Sequence, residues 1–200
     1  SPWVRTVQSH LLETEDRYDE ALEKSEESLA LRPGYRPAIQ CKASLLALMD
    51  RDQESIDLLT ESLTYIQSAA LAQQLTALHL ELRDYDGAAA ALEQVRQLAP
   101  LFDKQSLVWF AACEAEIHYF NGRFDEAAAS AKEAGDGFFA TMAERLSDPE
   151  RRKAARKSLD IPFVRQHQLT CVPATLTAIA KYWERPVDHL EVADQICYAG

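Results

Sequence analysis

Length, composition and charge exclude several classes of protein before any motif is considered. The chain has 200 residues, 47% of them hydrophobic, and a formal net charge of −11. It can therefore bury a sizeable core, but it lacks the basic character of a protein that binds nucleic acid. No apolar run approaches the roughly 18 residues that a membrane-spanning helix requires, which predicts a soluble, cytoplasmic protein without a membrane partner.

The cysteines and the first residues set two further expectations. The four cysteines contain no close pair such as C-x-x-C, which argues against a zinc site and against a disulfide framework. We therefore expect free thiols, no metal and no cofactor. The chain opens with Ser-Pro and shows neither an initiator methionine nor a signal-like apolar segment, so we expect it to be part of a longer protein.

A short pattern recurs four times along the first three-quarters of the chain. In three copies an aromatic residue directly precedes an aspartate, and a small residue lies two positions after that aspartate. The small residues are Ala21, Ser55, Ala88 and Ala127, which are 34, 33 and 39 positions apart. An acidic side chain in a first turn is stabilised by the helix dipole, so each copy predicts the start of a helix.

Two more columns of small residues keep the same spacing. The column on the preceding helices reads Ser9, Ala43, Thr76 and Ala115, and the later column reads Ser28, Ser62, Val95 and Ala134. Small side chains allow two helices to approach closely. This pattern resembles the tetratricopeptide repeat, a unit of two antiparallel helices. The resemblance implies an all-α fold, a helical-hairpin solenoid wound into an α–α superhelix, and a protein that binds other proteins.

The spacing of the small-residue columns also predicts where each repeat begins and ends. The four repeats are expected over about 2–35, 36–69, 70–102 and 103–146. The extra length before the fourth repeat predicts a longer turn or an extended helix end near residues 100–103. Gly135 and Gly137 interrupt the last long helical pattern, which predicts a bend or a break there.

In this family the first helices of successive pairs line a concave face. The resemblance places His10, Gln40, Ser44, Gln73, Ala77, Trp109, Glu116 and Tyr119 on that face. The set is polar and aromatic, without the basic cluster by which some members hold a terminal carboxylate. It suits an extended or helical peptide. Alternatively, Trp109 and Tyr119 are half-buried faces of stacked helices, and the partner is the protein's own neighbouring domain.

The pattern changes after residue 146. Asp148 and Pro149 read as a helix start, with Glu150 in the first turn, and five basic residues follow within seven positions. We expect residues 147–160 to form a capping helix and a linker, since a helical solenoid needs a polar end. The basic residues predict a solvated helix face rather than a nucleic-acid or membrane site.

A cysteine lies at the start of the next predicted helix. Residues 161–164 combine β-formers with Pro162 and are expected to be extended. Because proline is tolerated only in a first helical turn, Pro173 places Cys171 at or just before a helix N-terminus, where the helix dipole favours a thiolate.

This region, about residues 161–200, resembles the start of a papain-like cysteine peptidase, in particular the bacterial peptidases that process bacteriocin leader peptides. The resemblance implies a truncated α+β fragment with Cys171 as the nucleophile and Gln166 or Gln168 as the oxyanion donor. The family's catalytic histidine lies in a second lobe, and neither His167 nor His189 suits that role. Alternatively, Cys171 is a small buried hydrophobe.

Two functions therefore stay open for the chain. The first is an interaction scaffold that binds a peptide, a protein or its own adjacent domain. The second is a papain-like cysteine peptidase whose repeats recruit substrate and which is incomplete and inactive in this fragment. A homo-oligomer is also possible, because the apolar face of helix 174–183 would need a cover from the repeats or from a second copy.

Overall fold

The computed structural model describes residues 1–99, 101, 103–135, 137–153, 159–167, 170–185 and 187–197, without the side chains of 152 and 153. The helices in these ranges are α1 Pro2–Thr14, α2 Tyr18–Leu31, α3 Arg36–Leu48, α4 Asp52–Leu63, α5 Ala69–Glu81, α6 Tyr85–Leu98, α7 Lys104–Phe120, α8 Phe124–Ala134, α9 Phe138–Ser147, α10 Pro149–Lys153, α11 Cys171–Tyr182 and α12 His189–Ile196. The chain forms two compact units, residues 1–58 with 157–200 and residues 59–156, and the division between them falls inside α4.

The small-residue columns lie in the interior, as predicted. All twelve column residues are buried. In the first pair the Ser9 hydroxyl of α1 donates a 2.6 Å hydrogen bond to the Ala21 carbonyl of α2. In the second pair the Ser55 hydroxyl of α4 donates to the Ala43 carbonyl of α3 at 2.8 Å. Each serine therefore reaches the backbone of its partner helix, a close approach that a long side chain at these positions would prevent.

The turn inside each helical pair repeats as regularly as the columns. Residues with positive φ follow the first helix of each pair, at Asp16, Asp50, Arg83 and Gly122. The next N–H then donates back across the turn, for example from Arg17 to the Leu12 carbonyl at 3.0 Å. This is the left-handed C-terminal cap that commonly ends helices. Its recurrence shows that the same hairpin is built four times.

The core of the second unit joins α5, α6 and α7. Ala72, Ala88, Val95, Phe110 and Cys113 are buried together there, with Leu80 and Trp109 packed against them. α8 ends at Ala134 and α9 begins at Phe138, with positive φ at both Gly135 and Gly137, so the predicted break occurs. Asp148 caps α10, because its carboxylate accepts from the N–H groups of Glu150 and Arg151.

The α+β fragment predicted for residues 161–200 is not seen. Residues 161–167 belong to no helix, and none of the residues that the structure describes forms a strand. α11 is followed by a turn with positive φ at Glu184, and the N–H of Arg185 donates to the Ala180 carbonyl at 2.9 Å. This is the turn that closes the repeat hairpins. The local sequence after Cys171 therefore forms a further helical hairpin, rather than a helix packed on a sheet.

Candidate functional site

A cavity among the described residues lies in the second unit, between α7 and α9. Its volume is about 900 Å³. Its lining consists of Glu116, Tyr119, Phe120, Phe138, Phe139, Thr141, Met142, Arg145, Leu146 and Arg151, and we call it the α7–α9 cleft. Below it, Leu146 packs with Ala127 and Ala128 of α8. The glycine break places α9 here, because the chain must turn at Gly135 and Gly137 before Phe138 can face the cleft.

Aromatic side chains dominate one wall of the cleft. The ring of Phe120 stacks on Tyr85 with 4.6 Å between centroids and meets Tyr119 edge-on at 5.2 Å. Phe138 and Phe139 form another edge-on pair at 5.3 Å. Phe138 is nevertheless 75% exposed. A large apolar ring held at the mouth of a cleft is available to pack against a partner.

Charge is distributed unevenly around the cleft. Burial raises the pKa of Glu116 above its ordinary value, which marks that wall as poorly hydrated. Arg151 makes ion pairs with Glu144 at 3.4 Å and Asp148 at 3.3 Å. Arg145, on the same side, forms no ion pair with any residue that the structure describes. The cleft therefore offers one uncommitted guanidinium beside an aromatic surface.

The predicted binding residues of the second unit fall into two groups. Glu116 and Tyr119 line the α7–α9 cleft. Gln73, Ala77 and Trp109 line a separate hollow of about 390 Å³ between α5 and α7. Sequence reasoning missed the contribution of α9 to the cleft. The aromatic pair directly after Gly137 was the available signal. The small-residue columns end before it, at Ala134, and so did not assign it a position.

The predicted binding residues of the first unit are His10, Gln40 and Ser44. His10 is exposed on α1, whereas Gln40 and Ser44 are half-buried on α3. His10 also lies close to Glu13 and to the buried Cys41. None of these three residues lines the α7–α9 cleft or the hollow between α5 and α7.

The predicted peptidase residues that the structure describes are Cys171 and Gln166. Cys171 is exposed and is the first residue of α11, as predicted, and Gln166 is exposed on the segment before it. Gln168 lies outside the described residues. Within the described ranges no hydrogen bond joins Cys171 to Gln166 or to an imidazole. His167 and His189 pack on each other instead, with 4.4 Å between ring centroids.

A docking contact that the sequence did not reveal lies within the first unit. The guanidinium of Arg165 donates to the Ala47 carbonyl at 2.8 Å and lies 2.6 Å from the carboxylate of Asp52. His167 packs edge-on against Tyr18, and its pKa is lowered by burial and then by the charge of His189. The segment 161–167 is thereby fixed on the turns of the first two helical pairs.

The repeated hairpins and the buried columns give the described residues an all-α fold like that of tetratricopeptide repeats. Solved structures share this fold at low sequence identity. A MamA double mutant (RS-1 ArsTM) gives a TM-score of 0.61 at 14% identity, covering 74% of this chain and 86% of its own. A MamA crystal structure gives 0.59 at 12%, covering 100% and 97%. PilF of Pseudomonas aeruginosa gives 0.52 at 15%, covering 74% and 66%.

Sequence comparison adds no closer relative. No protein-family model matches the chain, and no curated protein matches it significantly. The structural neighbours therefore establish the fold, and they give no support to a papain-like fragment. None of the helices in the described ranges is long and apolar enough to cross a bilayer.

Proposed function

We propose that this chain is a protein-interaction scaffold whose principal contact surface is the α7–α9 cleft. The observation that carries the proposal is the cleft itself, about 900 Å³ in volume with an exposed phenylalanine at its mouth. Pockets of this size, lined by aromatic groups with a few convergent polar groups, are the usual binding sites of proteins. The repeat domain is proposed to extend over residues 1–146, with residues 147–160 as its cap and linker.

The chemistry of the cleft indicates the kind of partner. Phe120, Phe138 and Met142 offer an apolar surface to a large side chain, and such buried anchors carry most of the energy of an interface. Arg145 can pair with a carboxylate that the partner places next to that anchor. The proposed ligand is therefore a peptide segment, extended or helical, in which an aromatic or aliphatic residue lies close to Asp or Glu.

A peptide selection tests this function. We expect the full chain to enrich peptides with an apolar residue next to Asp or Glu from a displayed random library. Because Phe138→Ala removes the anchor surface and Arg145→Glu reverses the charge, each should weaken binding of a selected peptide by about tenfold or more, measured by calorimetry.

Arg36→Glu is the matched control, because Arg36 is exposed in the first turn of α3 in the other unit. It changes the net charge equally and should leave the affinity unchanged. Enrichment of no peptide, or equal binding by the wild type and the Phe138→Ala and Arg145→Glu variants, would contradict the proposal.

The second candidate function is a cysteine peptidase that recruits substrate through the repeats. Its support is the position of Cys171, exposed at the first residue of α11. A thiol activated for catalysis reacts much faster with an alkylating reagent than an ordinary exposed thiol does. Cys197 provides the comparison, because it is also exposed.

We expect Cys171 and Cys197 to be alkylated at rates within about threefold of each other at neutral pH, because no imidazole contacts the Cys171 thiol in the described residues. The rates can be followed by mass spectrometry of peptides. A Cys171 rate more than about a hundredfold higher would instead favour the peptidase.

A further inference from the structure

A cluster of three different metal-ligand types lies in the first unit, outside the α7–α9 cleft. His10 and Glu13 are one turn apart on α1, so they share a helix face, with 3.2 Å between His10 Nδ1 and Glu13 Oε2. Cys41 comes from α3, and its Sγ lies 3.9 Å from His10 Nδ1. One ligand atom from each residue lies within 4.8 Å of the other two.

These separations are close to those of a metal centre. Tetrahedral zinc binds nitrogen and oxygen at about 2.0–2.1 Å and sulfur at about 2.3 Å, which places the nitrogen about 3.3 Å from the oxygen and about 3.6 Å from the sulfur. The observed 3.2 Å and 3.9 Å differ from these values by a few tenths of an ångström. The Glu13 oxygen and the Cys41 sulfur lie within 4.8 Å of each other, compared with about 3.6 Å in such a centre. A side-chain movement of at most about 1.2 Å in this pair would therefore bring all three atoms to bonding distance of one ion.

The surroundings of the cluster are closed on one side and open on the other. Cys41 is buried, and its thiol can donate to the Ser9 oxygen, 3.1 Å away, because the Ser9 hydroxyl itself donates to the Ala21 carbonyl. His10 is exposed, which leaves a path for an ion and a position for a fourth ligand such as water.

The fourth repeat supplies an internal comparison. Cys113 lies two residues before the column residue Ala115, as Cys41 lies two residues before Ala43. Both thiols are buried, and burial raises the pKa of Cys113 to about 12. In the repeat register, Ala77 takes the place of His10 and Leu80 takes the place of Glu13 next to Cys113. Neither of these side chains can bind a metal. The buried thiol is thus common to two repeats, and the added histidine and glutamate distinguish the first site.

We propose that His10, Glu13 and Cys41 form a binding site for a thiophilic divalent cation of the zinc type. The mixed imidazole, carboxylate and thiolate set suits zinc or cobalt, whereas magnesium and calcium prefer oxygen ligands throughout. On binding, a sulfur–metal bond forms, the thiol's S–H bond breaks, and the proton passes to solvent. Zinc has no redox chemistry, so the step needs no oxidant or reductant.

Cobalt is the probe, because a cobalt–thiolate bond has a charge-transfer absorption band that unbound cobalt lacks. Anaerobic titration of the reduced full chain with Co²⁺ at pH 7.5 should give this band, saturating at one equivalent, and Zn²⁺ should remove it. Cys41→Ser should abolish the band. His10→Ala and Glu13→Gln alter side chains that are not buried and should each weaken cobalt binding by about tenfold or more.

Cys113→Ser is the matched control and should leave the band unchanged. Circular dichroism of each variant checks that the helices are retained. His10→Ala keeps the test decisive even where Cys41→Ser lowers the helical content, because His10 is exposed. A wild-type chain without the band, a band that persists in Cys41→Ser, or full affinity in His10→Ala would overturn the proposal.

Discussion

Replacing Ala88 by leucine is expected to lower the free energy of unfolding by about 2–3 kcal/mol, because the position is already filled. Ala88 is fully buried in the core of the second unit, together with Ala72, Leu92 and Val95. Inserting three carbon atoms there forces the side chains of that core out of their rotamers or moves α6 away from its neighbours. Urea unfolding followed by circular dichroism measures the loss.

Ala90→Leu is the control for this prediction. Ala90 lies two positions further along the same helix and is exposed. Leucine and alanine have similar helix propensities, so the substitution should change the stability by no more than about 0.5 kcal/mol. If the two variants lost equal stability, or if Ala88→Leu lost none, the small-residue columns would not be the contacts that set the spacing of the helices.

Replacing Arg165 by alanine is expected to release the segment 161–167 from the first two helical pairs. The Arg165 side chain is only 10% exposed, and it joins the Ala47 carbonyl, Asp52 and, at 3.7 Å, Asp50. Removing one partner of a buried pair leaves the other poorly hydrated and unpaired, which for a fully buried pair costs about 3–5 kcal/mol. Asp52 is 26% exposed, so we expect about 2 kcal/mol.

Limited proteolysis reports this release. In Arg165→Ala, cleavage between residues 159 and 170 should accelerate by about tenfold or more, while cleavage within 59–153 stays at its wild-type rate. Arg185→Ala is the control, because Arg185 is exposed and lies in the turn after α11. Unchanged cleavage in Arg165→Ala would show that the segment is held by other contacts, such as the packing of His167 on Tyr18.

The repeat fold could be predicted from the sequence because its signal is a recurring steric requirement. A buried helix contact tolerates only small side chains, so Ala21, Ser55, Ala88 and Ala127 recur at nearly constant spacing. The turns were less visible. Asp16, Asp50 and Arg83 adopt positive φ without glycine, so only Gly122 carried the usual signal for that conformation. The backbone angles of the structure therefore identify these turns, whereas the residue types at them do not.

The sites were harder to predict, because each depends on residues that are distant in sequence. His10, Glu13 and Cys41 match no short ligand motif, and the helical pairing alone brings Cys41 to the α1 face. Arg165 forms an ion pair with Asp52, which lies more than a hundred positions earlier in the sequence. Pro173 correctly indicated a helix start at Cys171. A helix start is common to many folds, however, and it did not specify the sheet that a peptidase lobe would require.

The proposed function makes the α7–α9 cleft the place where a partner binds, and nuclear magnetic resonance tests this directly. Titration of the ¹⁵N-labelled full chain with a selected peptide should shift the backbone amides of residues 116–120 and 138–146 most strongly. Those of α1 and α2 should change little. Shifts confined to α1, α2 or α11, with residues 138–146 unaffected, would show that partners are bound elsewhere on the chain.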